Sequence, residues 1–101
     1  MYDTVAMKIT YDPAKRLATL ENRQMDFEDA AEVFMRLQFS FVDARKDYGE
    51  IRNITIGLLN KRMVVVVWTL RGVNRHIISM RKANVKEQKY YKKELGKENM
   101  D

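Results

Sequence analysis

The run Met63-Val64-Val65-Val66-Val67-Trp68 constrains this chain more than any other stretch. Four consecutive β-branched residues lose side-chain freedom in a helix and sit well on a pleated surface. An unbroken apolar run too short for a long helix, bounded by turn residues, describes a strand covered on both faces. Gly72-Val73-Asn74 supply the turn, and Ile77-Ile78 carry the apolar return. Met63 to Lys82 therefore reads as the central hairpin of a sheet. Arg71 and Arg75 stand before the return's apolar pair and Arg81 after it. Regular alternation would turn Arg75, Ile77, Ser79 and Arg81 to one face and His76, Ile78 and Met80 to the other. Arg75, Ser79 and Arg81 would then share a surface.

The flanking sequence supplies the layers such a hairpin needs. Thr4 to Tyr11 alternates Val5, Met7 and Ile9 with small or polar neighbours and reads as a first strand. Asp12-Pro13 opens a helix reaching about Asn22, with Ala14, Leu17, Ala18 and Leu20 on its expected buried side. Asp26 opens a second helix, with Asp29 in the capping-box position and Met25 and Ala30 as a weak staple. Phe27, Ala30, Ala31, Phe34 and Met35 repeat at helical spacing and read as packing. Phe39 to Val42 is a short strand, residues 43–49 a polar loop, and Glu50 to Leu58 a further strand. Asn60-Lys61 then turns into the valine strand. A last helix starts near Lys82 or Ala83, shows a thin stripe of Val85, Tyr90 or Tyr91, and Leu95, and stops at Gly96. The expectation is an α+β domain over residues 1–95. Its antiparallel meander is packed on one face by two N-terminal helices and a C-terminal helix, and residues 96–101 form a flexible tail.

With 101 residues, the chain builds one modest core. It has no cysteine, which removes thiol catalysis and disulfides and permits a reducing cytoplasm. Its one histidine, His76, cannot alone build an imidazole metal site, and no metal or cofactor is expected. No apolar stretch reaches the ~18 residues a membrane span needs. The first ten residues carry Asp3 and no basic lead into an apolar run, so no secretory signal is expected. Charge is uneven: residues 1–50 hold seven Lys/Arg against ten Asp/Glu, and residues 51–101 hold twelve against four. A basic half of that size attracts phosphate polyanions. Lys82, Lys86 and Lys89 at the last helix are the expected RNA contacts.

Elimination narrows the chemistry. No serine sits in a strand-to-helix elbow, and the four glycines form no phosphate-binding loop. What remains is a cationic set of Arg52, Arg71, Arg75, His76, Arg81 and Lys82, with Glu50 the nearest acid in sequence. Such a set suits RNA cleavage by the RNA's own 2′-hydroxyl. The protein then supplies positioned positive charge, a proton acceptor and a proton donor, and no nucleophile. Arg71, Arg75 and Arg81 would hold phosphate, and Glu50 or His76 would move protons. Two other readings use the same residues. One is a non-catalytic basic module that binds nucleic acid or an acidic protein; in the other the basic surface mainly receives an acidic protein partner.

Several segments, in order, resemble the BrnT family of bacterial toxins from toxin–antitoxin pairs. They are YDPAKRLATLENR (11–23), MDFEDAAEVF (25–34), Glu50-x-Arg52, Ile56-Gly57, VVVVWTLRG (64–72) and RHIISMRKANVKEQKYY (75–91). The resemblance implies a fold like the RelE-type ribonuclease toxins and RNA cleavage that arrests translation in the cytoplasm. It implies a cognate antitoxin, typically a ribbon-helix-helix protein, with promoter DNA bound only by the pair. It carries site roles by motif position to Glu50, Arg52, Arg71, Arg75, His76 and Arg81. One departure stands out: Arg23-Gln24 occupies the place where many relatives carry His-Gly.

Overall fold

The structure, a computed structural model, describes residues 8–45 and 47–98. Its elements are β1 (Ile9–Tyr11), α1 (Pro13–Arg23), a 3-10 turn (Phe27–Asp29) running into α2 (Ala30–Met35), β2 (Gln38–Val42), β3 (Asn53–Leu59), β4 (Arg62–Arg71), β5 (Asn74–Lys82) and α3 (Val85–Glu98). The α+β class holds. The five strands lie in the order β1-β5-β4-β3-β2. β2 to β5 pair antiparallel, and β1 joins the β5 edge in parallel. The expected first half of β1, Thr4 to Met7, lies outside the described residues.

The valine strand is central, and its residues divide between two cores, which corrects the expectation of a single core because the sheet is covered on both faces. Val64 and Val66 pack with Met25, Phe27, Ala30, Val33, Ile77 and Met80 beneath α2. Val65 packs with Ile54, Ile56, Tyr91 and Leu95 beneath α3. Period-two alternation therefore puts α2 and α3 on opposite faces of the sheet, and the expectation of all helices on one face is corrected. A strand with both faces covered must be apolar at every position, which is why the run is unbroken.

Turn chemistry follows the residues. Asn60 and Lys61 both take left-handed φ, 51° and 66°, the geometry that joins twisted antiparallel strands through two residues. Gly72 takes φ 62° at the β4–β5 turn. Gly57 has a different reason to be glycine. A Cβ there would stand 2.8 Å from Val33 Cγ1, so its bare backbone lets α2 settle onto β3.

Other boundaries shift for physical reasons. None of α1 is buried: Leu17 is 57% exposed, and Ala14, Ala18 and Leu20 are also exposed. Polar tethers hold this helix instead. The Asp12 side chain accepts from the Ala14 N–H, Arg16 makes two hydrogen bonds of 2.7 and 2.8 Å to Asp26, and Arg23 Nη1 donates to the Met80 carbonyl at 3.0 Å. Arg16 holds Asp26 down at about 2, well below the usual carboxylate range. In the second helical segment Asp26 caps the 3-10 turn by accepting from the Glu28 N–H. Asp29 makes no side-chain cap bond, which corrects the capping-box expectation. Ala31 is exposed and Met35 is 85% exposed, while Val33 is buried. The tight 3-10 turn rotates α2 so that Ala30 and Val33 meet the sheet.

β3 starts at Asn53, three residues later than expected, so Glu50, Ile51 and Arg52 form its lead-in. α3 begins with a reciprocal cap. The Glu87 N–H donates to Asn84 Oδ1 at 2.8 Å, and the Asn84 N–H donates to Glu87 Oε1 at 2.9 Å. Tyr91 and Leu95 face the core; Val85 is exposed, and Tyr90 packs edge-on against Phe39 and Phe41. The helix runs through Gly96 to Glu98, so Gly96 does not end it, and the rest of the expected tail lies outside the described residues.

Candidate functional site

The strongest departure from sequence periodicity falls in β5. Val67 pairs with Ser79 but Trp68 pairs with Ile77, so Ile78 is an extra residue in its strand. A bulge shifts the alternation by one position. Ile77 and Met80 consequently lie in the same core, beneath α2. Arg75 lies on that side too. Its guanidinium carbon sits 4.0 Å from the Phe34 ring centroid and 5.0 Å from that of Trp68. Its Nε is buried with no hydrogen-bond partner, and burial lowers its pKa. Arg81 falls beyond the bulge, on the α3 side, where Nη1 and Nη2 grip the two oxygens of Glu87 at 2.8 and 2.7 Å. The expected surface shared by Arg75, Ser79 and Arg81 is thus corrected in part: Ser79 and Arg81 line one hollow, but the bulge puts Arg75 and Arg81 on opposite faces. The edge-to-face rings of Phe34 and Trp68 flank one, and the other ties β5 to the α3 cap.

Four of the six candidate residues do gather. At the end of the sheet where β4 turns into β5, Thr69 pairs with His76 across the hairpin and Thr10 pairs with it from β1. Thr10 Oγ1 and His76 Nδ1 lie 2.9 Å apart, which fixes the ring and leaves Nε2 outside that contact. Burial pushes the imidazole below the usual histidine range, and the charge of Arg71 adds to the effect. Glu50 opposes it, followed by smaller contributions from Lys15 and Asp12. His76 is therefore uncharged at neutral pH and sits in the fields of Arg71 and Glu50. Arg52 joins them, its Nε 3.6 Å from Glu50 Oε2.

The lead-in to β3 is held firmly. Thr69 Oγ1 donates to the Ile51 carbonyl at 2.6 Å, and the Asp43 N–H donates to the Arg52 carbonyl at 2.8 Å. Asp43 is buried and gathers its own loop. Its carboxylate accepts from Arg45 Nε and Nη2, from the Arg45 backbone N–H and from the Tyr48 hydroxyl. Those donors keep it well below the usual carboxylate range, Arg45 first among them. The Arg52 guanidinium lies over the Tyr48 ring at 3.9 Å, and its Nε is buried without a hydrogen-bond partner. An unsatisfied donor on a permanent cation is a ready receptor for an anionic oxygen.

The three expected RNA-contacting lysines do not form one patch. Lys82 lines a hollow with Lys61, Arg62 and Lys92, whereas Lys86 and Lys89 flank Tyr90 on α3 with Lys93. Among the described residues, no three His, Asp or Glu side chains come together as a cation site. No helix among them is long and apolar enough to cross a membrane.

Sequence reasoning passed over Thr10, Asp43, Tyr48 and Thr69, which aim the site rather than form it. Asn84-x-x-Glu87 was a readable capping signal that would have flagged Arg81's carboxylate partner. Arg23 and Gln24 are now explained locally. Gln24 closes α1 in the left-handed region, φ 54° and ψ 38°, with its N–H on the Leu20 carbonyl; glycine takes this conformation most easily.

The fold resembles that of a solved ribonuclease toxin. The crystal structure of the Brucella abortus ribonuclease toxin BrnT matches with a TM-score of 0.59 and 30% sequence identity, covering 77% of this chain and 97% of that one. The fold is therefore that of a small ribonuclease toxin. A family model described as "Ribonuclease toxin, BrnT, of type II toxin-antitoxin system" matches residues 11–87, and the chain belongs to that family. The comparison with curated proteins gave no match.

Proposed function

We propose that this chain is an endoribonuclease that cuts RNA by attack of the 2′-hydroxyl on the adjacent phosphate. The supporting observation is the meeting of Glu50, Arg52, Arg71 and His76 at one end of the sheet, with His76 held uncharged. His76 takes the 2′ proton, because a neutral imidazole is the only form that can. The new bond joins the 2′-oxygen to phosphorus, and the bond from phosphorus to the 5′-oxygen breaks. The departing 5′-oxygen is protonated from solvent reaching this open end, leaving a 2′,3′-cyclic phosphate and a 5′-hydroxyl. Arg52 and Arg71 stabilise the charge that builds on the phosphate oxygens, and Glu50 orients Arg52. One well-placed donor to such a charge contributes roughly 3–4 kcal/mol. Arg75 and Arg81 belong to the frame in this reading, and the lysines of α3 are peripheral.

The reaction draws its nucleophile from the substrate and its charge from arginine, so cleavage is expected to survive EDTA. In the cell it would stop translation in the cytoplasm. A cognate antitoxin, of ribbon-helix-helix type by resemblance, would neutralise it, and the pair rather than the toxin would bind promoter DNA. The test is purified protein with RNA, with and without EDTA, followed by analysis of the fragment ends. Cyclic phosphates that disappear in Arg52→Ala and His76→Ala support the reading. RNA that stays intact while bound in a salt-sensitive manner would replace it with a non-catalytic basic module. Expression with and without the neighbouring small open reading frame tests neutralisation.

A further inference from the structure

We propose that single-stranded RNA reaches this site along the inner wall of α1, with its phosphates held by Lys15, Arg23 and Arg52. This deepens the ribonuclease reading by assigning the strand's path, and it replaces the lysines of α3 as the main contacts. An open hollow of about 440 Å³ lies between α1 and the bulged part of β5. Its lining includes Lys15, Asn22, Arg23, Arg52, Ile78 and Ser79, and no acidic residue is among those that line it. Three cations facing one hollow without a carboxylate make an anion-binding surface.

Geometry ties this surface to the chemistry. Arg52 belongs both to the hollow and to the Glu50 pair. Lys15 is close enough to His76 to depress its proton affinity. A phosphate resting between Lys15 and Arg52 would contact the same Arg52 that pairs with Glu50. Arg52 Nε makes no hydrogen bond within the protein and lies 3.6 Å from Glu50 Oε2, so the Arg52 guanidinium keeps donor capacity for such a phosphate.

The wall is also preformed. Arg16 fixes α1 to Asp26, and Arg23 is fixed to the Met80 carbonyl through Nη1. This accounts for a helix that stays in place with no buried side chain: its inner side is kept open for a ligand. Ala18 and Ile78 add an apolar strip between the cations. Flat base faces can rest on such a strip in a single strand, whereas a duplex hides them in its stack.

The test uses a short single-stranded 2′-deoxy oligonucleotide, which lacks the attacking hydroxyl and cannot be cut by this route. Its binding therefore reports the path whether or not the protein is a ribonuclease. Affinity is measured against salt concentration. Lys15→Gln and Arg23→Gln are each expected to weaken binding and make the slope of log K against log salt shallower by about 0.7. The pair Lys86→Gln and Lys89→Gln should leave the slope unchanged, and the duplex form should bind more weakly than the single strand. The proposal is overturned if the α3 variants carry the slope while Lys15→Gln binds as the parent does. It is also overturned if Lys15→Gln loses an acidic protein partner but no oligonucleotide affinity. Lys15 is exposed, so its variant stays informative if Arg23→Gln fails to fold.

Discussion

Replacing Arg81 with alanine should damage the fold and spare the chemistry. Arg81 grips Glu87 through two hydrogen bonds, with the two side chains 39% and 21% exposed. Fully exposed pairs contribute about 0.2–1 kcal/mol, and removing one partner of a buried pair costs about 3–5 kcal/mol. A partly covered, bidentate pair falls between these limits, at about 1–2 kcal/mol. The reciprocal bonds between Glu87 and Asn84 remain, so α3 should still start where it does. For a domain of this size that loss lowers Tm by roughly 4–16 °C. Thermal unfolding of Arg81→Ala, Glu87→Gln and the double variant gives the coupling directly. Arg81 holds the Glu87 carboxyl below its usual range. The folded form thus binds this proton less readily than the unfolded chain, so the coupling is present at neutral pH and lost as pH falls through the folded-state value. Cleavage per folded molecule should stay within about three-fold of the parent, whereas Arg52→Ala should lose about 10²–10³-fold. An Arg81→Ala protein that melts like the parent yet loses cleavage a hundred-fold would refute the separation of frame from site.

Four further outcomes follow from the structure. The His76 imidazole should titrate by NMR below the ordinary value of about 6.5, and its stability contribution should be intact above that pH and fade as pH drops through the depressed folded value, because the unfolded chain binds the proton more tightly; a titration above 6.5 would reverse the sign and remove His76 as a neutral base. Burial, Arg71 and Lys15 depress it while Glu50 and Asp12 oppose them, so Arg71→Gln should raise the midpoint. Gly57→Ala should destabilise by about 1–3 kcal/mol in denaturant titration, since Val33 Cγ1 must retreat from a methyl built 2.8 Å away. Gln24→Gly should stabilise by about 0.5–1 kcal/mol by relieving the left-handed φ of 54°, even after loss of the Gln24 side-chain bond to the Glu21 carbonyl; an unchanged Tm would show that this bond offsets the strain.

The structure also shows where local reading succeeds. The valine strand, the Asn60-Lys61 turn, the Gly72 turn and the cap at Asp12 are each dictated within a few residues, by β-branching, by tolerance of positive φ and by a carboxylate beside free N–H groups. The apolar side of α1 was misread because periodicity reports an amphipathic helix and not what covers it. The grouping of the candidate residues was half legible. Glu50, Arg52, Arg71 and His76 do meet, but the lead-in that carries the first two is placed by tertiary bonds, from Thr69 Oγ1 to the Ile51 carbonyl and from the Asp43 N–H to the Arg52 carbonyl.

The chain's own residues thus determined an α+β domain, its central hairpin, its basic second half and the kinds of side chain available for chemistry. Tertiary structure alone decided which of those side chains share a face. Ile78 is an ordinary strand residue by composition, and only its pairing partners reveal that it is the extra one. Side-chain direction in a strand is a parity, so that single inserted residue sends Arg75 and Arg81 to opposite sides of the sheet.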